Sequence, residues 1–462
     1  MRRLARSVLI AAFGMPALLS AQGFAVNELG TCAMGRAGTA AAGPCRDGSG
    51  VWANPASLAV LSGTHISASG TLIVPHGGFT DDLFAVKTDM PSQRYLVPSA
   101  YLTHQAGKLG LGLGVFAPYG LGTKWCTGDP CSPLDFIGRF DAYNTQIRSI
   151  YVQPTVAYQV TDWLSLGIGV AYIHSTLELH QRADLSAFPL PANPFLPPGT
   201  TFSTIGIPSF SDFADVALSN ASGTGIAFNG GILVKVSDRL ALGGHFITKK
   251  TITYKGDATF SQVPTGLVFA TGTTPLNPST PLPIDIAVAG QFLAGGPLVD
   301  QSVSTAIPMP DQGAIGFAYK ASDKWLVMGD YQQIFWGSLQ TIVIDFSNTL
   351  TPDRTLPEGF KDSHAFRIGV EYQYSAQTTL RAGYLYHTPA APAQTVTPLL
   401  PEGARNEFTV GLGTELAGGL RFDAAYQLIR QQDRRGRAGT AVNSGLYTFG
   451  ASLFGAGLSY TF

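Results

Sequence analysis

Across much of the chain, apolar and polar side chains alternate with period two. In 366–374 one face holds Phe366, Ile368, Val370, Tyr372 and Tyr374, and the other holds Arg367, Gly369, Glu371 and Gln373. Leu420, Phe422, Ala424, Tyr426 and Leu428 alternate with Arg421, Asp423 and Gln427 in the same way. Successive side chains of a strand point to opposite faces, so the pattern predicts strands with one apolar and one polar face. About fourteen segments fit it. They lie near 64–75, 94–105, 108–118, 146–160, 163–182, 223–236, 240–260, 306–320, 325–345, 365–375, 378–388, 406–415, 420–434 and 445–462. Short connections such as Thr161-Asp162 and Ala376-Gln377 alternate with long ones at 119–145, 183–222 and 261–305. That asymmetry is the habit of outer-membrane barrels, whose apolar face meets lipid and whose small and polar face lines the lumen. Trp163 and Trp325 stand just inside two short turns, where an aromatic girdle would sit. The last strand ends on Leu458, Tyr460 and Phe462, all on one face. The predicted fold is all-β, a 14-stranded antiparallel transmembrane β-barrel.

Composition agrees. Charged residues make up 13% of the 462 residues, against about 25% in a typical soluble domain. Hydrophobic residues reach 45% and glycines number 54, yet no run of about 18 apolar residues predicts a spanning helix. A net charge of −1 gives no reason to expect nucleic acid as a partner. Arg2, Arg3 and Arg6 precede an apolar stretch from Ser7 to Leu19, which predicts a secretory signal cut after Ala21. The predicted organisation is a signal peptide at 1–21, an N-terminal segment at 22–62 and a barrel at 63–462. Four cysteines in an exported chain favour disulfides, and proximity favours Cys32–Cys45 and Cys126–Cys131 among three pairings. A metal site is the sharper alternative, but no histidine stands at ligand spacing.

The segment from Gly23 to Ala56 is too rich in Gly and Ala for a strand and too interrupted for a good helix. Ahead of a barrel, such a segment suggests a hatch, a plug inside the lumen. Gly23-Phe24, Asn27-Glu28, Gly35-Arg36-Ala37 and Asn54-Pro55-Ala56 resemble the hatch of the FadL family of outer-membrane transporters for long-chain fatty acids and aromatic hydrocarbons. Tyr119-Gly120-Leu121, Glu358-Gly359-Phe360-Lys361-Asp362 and Pro392-Ala393-Gln394 extend the similarity along the mature chain.

The resemblance implies a monomeric, passive outer-membrane transporter with no cofactor or metal. Its cargo would be hydrophobic small molecules. Its other partners would be outer-membrane lipid, lipopolysaccharide and the barrel-assembly machinery. It makes Arg36, Glu28 and Asn54, with Gly35, Phe24, Asn27, Pro55 and Ala56, the hatch residues to examine. It also implies a lateral opening in the third strand. There Leu109, Leu111, Leu113 and Val115 share one face, Gly110, Gly112 and Gly114 leave the other bare, and Pro118 cannot donate a ladder hydrogen bond. The glycines either weaken the strand or make room for the hatch. Family members that carry fatty acids hold the carboxylate with basic groups, and His180 or Arg182 lies near such a position. Val343 stands where a lysine is expected, which leaves room for an uncharged hydrocarbon.

Two long loops carry apolar residues, among them Leu185, Phe188 and Phe202 in one, and Phe269, Ile284 and Phe292 in the other. Exposed apolar clusters either pack on each other or bind something. No catalytic constellation is evident: the eight histidines are scattered, and the alternating glycines are not followed by the Lys-Ser/Thr of a phosphate loop. A non-enzymatic transporter is therefore expected, with a general porin or a lipid-modifying barrel enzyme as the alternatives.

Overall fold

The computed structural model describes residues 23–128, 130–132, 135–190, 197, 199–269, 281–436 and 444–462. The signal segment at 1–21 lies outside them. The chain forms a closed barrel of fourteen antiparallel strands. They are β1 (Gly63–Asp81), β2 (Tyr95–Ala106), β3 (Leu109–Lys124), β4 (Asn144–Gln159), β5 (Leu164–Asp184) and β6 (Asp212–Lys235). Four strands follow in two segments each: β7 (Leu240–Ile247, Lys250–Gln262), β8 (Gln301–Met309, Gln312–Lys320), β9 (Trp325–Ile334, Thr341–Phe346) and β10 (Arg354–Pro357, Ser363–Gln373). The last four are β11 (Thr378–His387), β12 (Arg405–Glu415), β13 (Leu420–Gln431) and β14 (Gly445–Thr461). Each strand pairs with its neighbour in the chain, and β14 closes the ring on β1 from His65↔Thr461 to Asp81↔Gly445.

The alternation in the sequence is realised as lipid-facing and lumen-facing sides. On β5 the exposed Leu166, Ile168, Val170 and Tyr172 alternate with the buried Ser165, Ala171 and Ile173. Aromatic pairs mark two rims of this apolar band. Trp325 and Tyr372 lie 4.6 Å apart near the short turns. Tyr331–Phe366, Tyr384–Phe408 and Tyr426–Phe454 lie 5.2–5.3 Å apart toward the long loops. Leu458, Tyr460 and Phe462 are exposed on the outer face. Beyond the outer rim the strands run on, so that β6 begins at Asp212 rather than near 223.

Residues 23–62 lie inside the ring. Short helical turns at Thr31–Met34, Gly50–Ala53 and Pro55–Ala59 are packed against the lumen wall, and Cys32–Cys45 staples the first of them to the following loop. The wall receives this segment at glycines. A Cβ at Gly112 would lie 2.6 Å from Leu58 and 2.8 Å from Val51. One at Gly455 would lie 2.8 Å from Met34 Sδ, and one at Gly411 2.8 Å from Gly35 Cα. Outside the rim, the long loops pack on each other: Leu185, Phe202, Phe213, Phe269, Ile284 and Leu298 form one buried cluster. Self-packing thus covers part of the apolar loop surface that the sequence presents.

Candidate functional site

The wall is interrupted between β2 and β3. Their ladder runs from Ala106↔Leu109 to Ala100↔Val115 and stops. Beyond it, Tyr95–Ser99 pairs only with β1, and Tyr119–Lys124 pairs only with β4. The change comes at a bulge. Phe116 pairs with Tyr151 and Tyr119 with Ser149, so three steps on β3 meet two on β4. Pro118 sits in that bulge and has no N–H to offer β2. At the far end the two strands meet again through side chains. Gln93 Nε2 donates to Lys124 O at 2.9 Å, and Lys124 N donates to Gln93 Oε1 at 3.0 Å. The Tyr95 hydroxyl donates to the same Oε1 at 2.6 Å. Its ring lies over Gly122, so closely that a Cβ there would collide with it.

Behind the gap lies the beginning of the hatch. Val26 N donates to Pro118 O at 2.8 Å, and Gly120 N donates to Phe24 O at 3.0 Å. The arm thus takes up, from inside, backbone groups of β3 that β2 leaves free. The Phe24 ring packs against Trp336 at 4.6 Å and Tyr119 at 6.1 Å. Gly23 has φ +63° and abuts the Trp336 indole, so a side chain is excluded there twice over.

Two cavities meet at Phe24. One, of about 440 Å³, runs from the gap, lined by Leu96, Pro98 and Gly120, to Ile429, Phe449 and Arg405 on the opposite wall. The other, of about 60 Å³ toward the loops, is lined by Leu177, Leu218, Ile307, Leu356 and Glu358 among others. Phe24, Leu121, Ile147 and Leu400 line both. Glu358 stands beyond the outer aromatic rim. Burial, then the negative charges of Asp141 and Glu402, push its carboxyl up to about 8.

The residues singled out in the sequence fall into three groups. Phe24 and Glu28 line the large cavity, and Glu28 Oε1 accepts from Gln427 Nε2 at 2.8 Å. Arg36, Asn54, Gly35, Pro55 and Ala56 instead anchor the hatch. Arg36 is buried and pairs with Glu371 at 2.7 Å. Asn54 Nδ2 donates to Ala41 O at 2.6 Å and to Ile232 O at 2.9 Å, and its Oδ1 caps the turn that begins at Pro55. Asn27 Oδ1 accepts from Gln332 at 3.4 Å. Gly110, Gly112 and Gly114 sit where the β2–β3 ladder is intact, and the first two face Leu58. They make room for the hatch; the interruption begins just past them, at Phe116 and Pro118.

His180 and Arg182 line neither cavity. His180 Nε2 lies 2.9 Å from Glu178, and Arg182 donates to Cys131 O at 2.7 Å while facing Asp215 at 3.5 Å. Three arginines line the large cavity: Arg94 and Arg148 at the gap, and Arg405 on the opposite wall. The one inside the lumen is Arg405. Its guanidinium stacks on Phe449 at 5.6 Å and, among the described residues, has no carboxylate within ion-pair distance. Nothing in the strand pattern distinguishes it, because its role depends on what stands across the lumen. Both predicted disulfides, Cys32–Cys45 and Cys126–Cys131, are formed, so none of these sulfurs is a free thiolate ligand.

Comparison with known proteins places this geometry in a lineage. The family described as "Outer membrane protein transport protein (OMPP1/FadL/TodX)" matches residues 15–462. Outer membrane protein P1 of Haemophilus influenzae is 22% identical, over 99% of this chain and 98% of its own. A Pseudomonas aeruginosa FadL homologue superposes with a TM-score of 0.77 at 20% identity, covering 96% of this chain and all of that one. The Ralstonia pickettii toluene transporter TbuX does so with a TM-score of 0.66 at 20% identity, covering 95% of this chain and all of its own. At these identities the structural likeness concerns the fold.

Proposed function

The chain belongs to the OMPP1/FadL/TodX family of outer-membrane transport proteins, and from that premise we propose that it conducts hydrophobic molecules passively from the loops to the lipid. Cargo enters the small apolar cavity and passes Phe24 when the arm shifts. It then crosses the large cavity and leaves sideways between β2 and β3. What supports this reading most is that one cavity extends from the lumen to the place where the wall ladder is missing. Lateral exit suits apolar cargo, because each CH₂ kept out of water retains about 0.8 kcal/mol. Arg405, facing the same cavity from the opposite wall, fits a carboxylate at one end of such a molecule. A general porin is disfavoured by the buried hatch residues across the bore, among them Val51, Ala56 and Leu58.

Deleting Pro118 tests the route. Removing one residue from the three-to-two bulge brings β3 back into step with β2 and closes the gap. Uptake of labelled oleate and toluene by cells carrying the deletion is expected to fall at least about tenfold, while heat-modifiable migration still reports a folded barrel. Unchanged uptake would overturn lateral exit. In the same assay, Arg405→Met is expected to lower uptake of oleate and spare that of toluene.

A further inference from the structure

The outer mouth of the gap carries three cations that, among the described residues, make no ion pair with an acid. Arg148 lies on the exposed face of β4, two residues beyond the lipid-facing Ile150, and its Nη2 donates to Gln146 Oε1 at 2.6 Å. Arg94 is exposed at the edge of the large cavity, one residue before β2. Lys124 is brought beside it by its two reciprocal hydrogen bonds with Gln93. Because Thr123 turns inward, its hydroxyl donating to Leu399 O at 3.2 Å, Lys124 falls on the outward face. Four described acids of the adjoining strands and loop pair with other cations: Glu178 with His180, Asp215 with Arg182, Asp141 with Arg354 and Asp212 with Arg139. Among the described residues, none makes an ion pair with Arg94, Lys124 or Arg148.

Cations on the outward wall of a barrel are tolerated where lipid headgroups begin, not in the hydrocarbon band. We propose that Arg94, Lys124 and Arg148 bind the phosphates of an outer-leaflet glycolipid and hold that lipid at the mouth of the gap. Arginine forks match phosphate oxygens bidentately, and lysine adds a point charge. Gln146 and the Tyr95 hydroxyl border the site with neutral polar groups. The lipid's acyl chains would then lie along the exposed Leu96 and Ile150, beside the opening through which cargo emerges. The site rests on the placement of the cations and stands whether or not cargo leaves by this route.

Native mass spectrometry of the purified full-length barrel in detergent, with defined lipid A added, tests it. The wild type is expected to retain bisphosphorylated lipid A at least about tenfold more strongly than the dephosphorylated form, since each basic group near an anionic headgroup contributes about 1 kcal/mol. The triple variant Arg94→Met, Lys124→Met, Arg148→Met is expected to lose that preference. The charge-keeping variant Arg94→Lys, Lys124→Arg, Arg148→Lys is expected to keep most of it. Heat-modifiable migration checks that each variant is folded. Equal retention of both lipids by the wild type, or an unchanged preference in the triple Met variant, overturns the proposal. So does displacement of the lipid by equimolar oleate, which would assign the cations to the cargo carboxylate instead.

Discussion

Residues 30–59 and residues 23–26 belong to one continuous segment, yet the barrel holds them in different ways. The later part is tied down by buried polar contacts on several sides of the lumen. Arg36 reaches Glu371 on β10. Asp330 on β9 accepts from Ala40 N at 2.8 Å and Ala41 N at 3.1 Å. Gln153 on β4 donates to Val51 O at 2.6 Å, and Asn229 on β6 donates to Trp52 O at 2.9 Å. The disulfide Cys32–Cys45 removes internal freedom as well. The earlier part has two backbone bonds to the edge of β3, one from Gly23 N to the Glu402 carboxylate, and the ring contacts of Phe24. Shifting the body would leave many buried polar groups unpaired, at about 1–3 kcal/mol each. Shifting the arm breaks three hydrogen bonds and some aromatic packing. The arm is therefore the more weakly held part of the segment, and the gating proposed above needs only the arm to shift.

The largest expected effect comes from attacking the body. Arg36→Met leaves the partly buried Glu371 with only Arg381, 2.9 Å away, to balance it. Removing one partner of a fully buried pair costs about 3–5 kcal/mol, and the partial exposure and surviving arginine bring this case below that range. The hatch should loosen as a body, so limited proteolysis should begin to cut within 30–59 while the strands remain protected. A hatch that stays resistant would show that the polar ties are redundant and that body and arm differ less than the contacts indicate.

A smaller effect is expected at the arm. Phe24→Ala removes the ring that separates the two cavities and forfeits its two aromatic contacts, each worth about 0.5–1.5 kcal/mol beyond area. Barrel stability should change little. Uptake of small hydrophobic compounds should rise, because the obstacle between the cavities is gone. Uptake equal to or below that of the wild type would argue that Phe24 guides cargo rather than blocks it.

The same contrast explains what could be read from the chain beforehand. The strands were legible because a two-residue period survives wherever one face meets lipid and the other the lumen, as on β10 and β13. Outside the membrane that contrast fades, which is why the start of β6 and the breaks within β7 to β10 escaped the pattern. The hatch residues were legible as motifs but not in their roles. Arg36 and Asn54 read as positioning residues for cargo and act as anchors, since their partners Glu371 and Ile232 stand more than a hundred residues away in the chain. The bare face of Gly110, Gly112 and Gly114 signals close approach, and the approaching group is Leu58 for the first two. The gap depends on one extra residue in the β3–β4 register, a feature that Pro118 hints at and alternation cannot locate. His180 and Arg182 carried the right chemistry, but Glu178 and Cys131 O occupy them.

The smallest effect separates the small cavity from the large one by pH. Glu358 lies in the wall of the small cavity, outside the membrane-spanning stretch of β10, and its carboxyl is pushed up to about 8 from an ordinary 4.5, mainly by burial. Between those two values the folded barrel holds a proton that the unfolded chain has released. Stability therefore falls as pH rises through this window and levels off above it. Near pH 7 the side chain is mostly neutral, and the small cavity suits an uncharged chain or ring. Above about 8 it becomes an anion in an apolar pocket, which disfavours cargo there. Wild-type barrel should bind a neutral probe such as toluene a few-fold more weakly at pH 9 than at pH 6.5, and Glu358→Gln should bind it equally at both. If Glu358→Gln keeps the wild-type pH dependence, the titrating group lies elsewhere, and the two cavities are not divided by charge in this way.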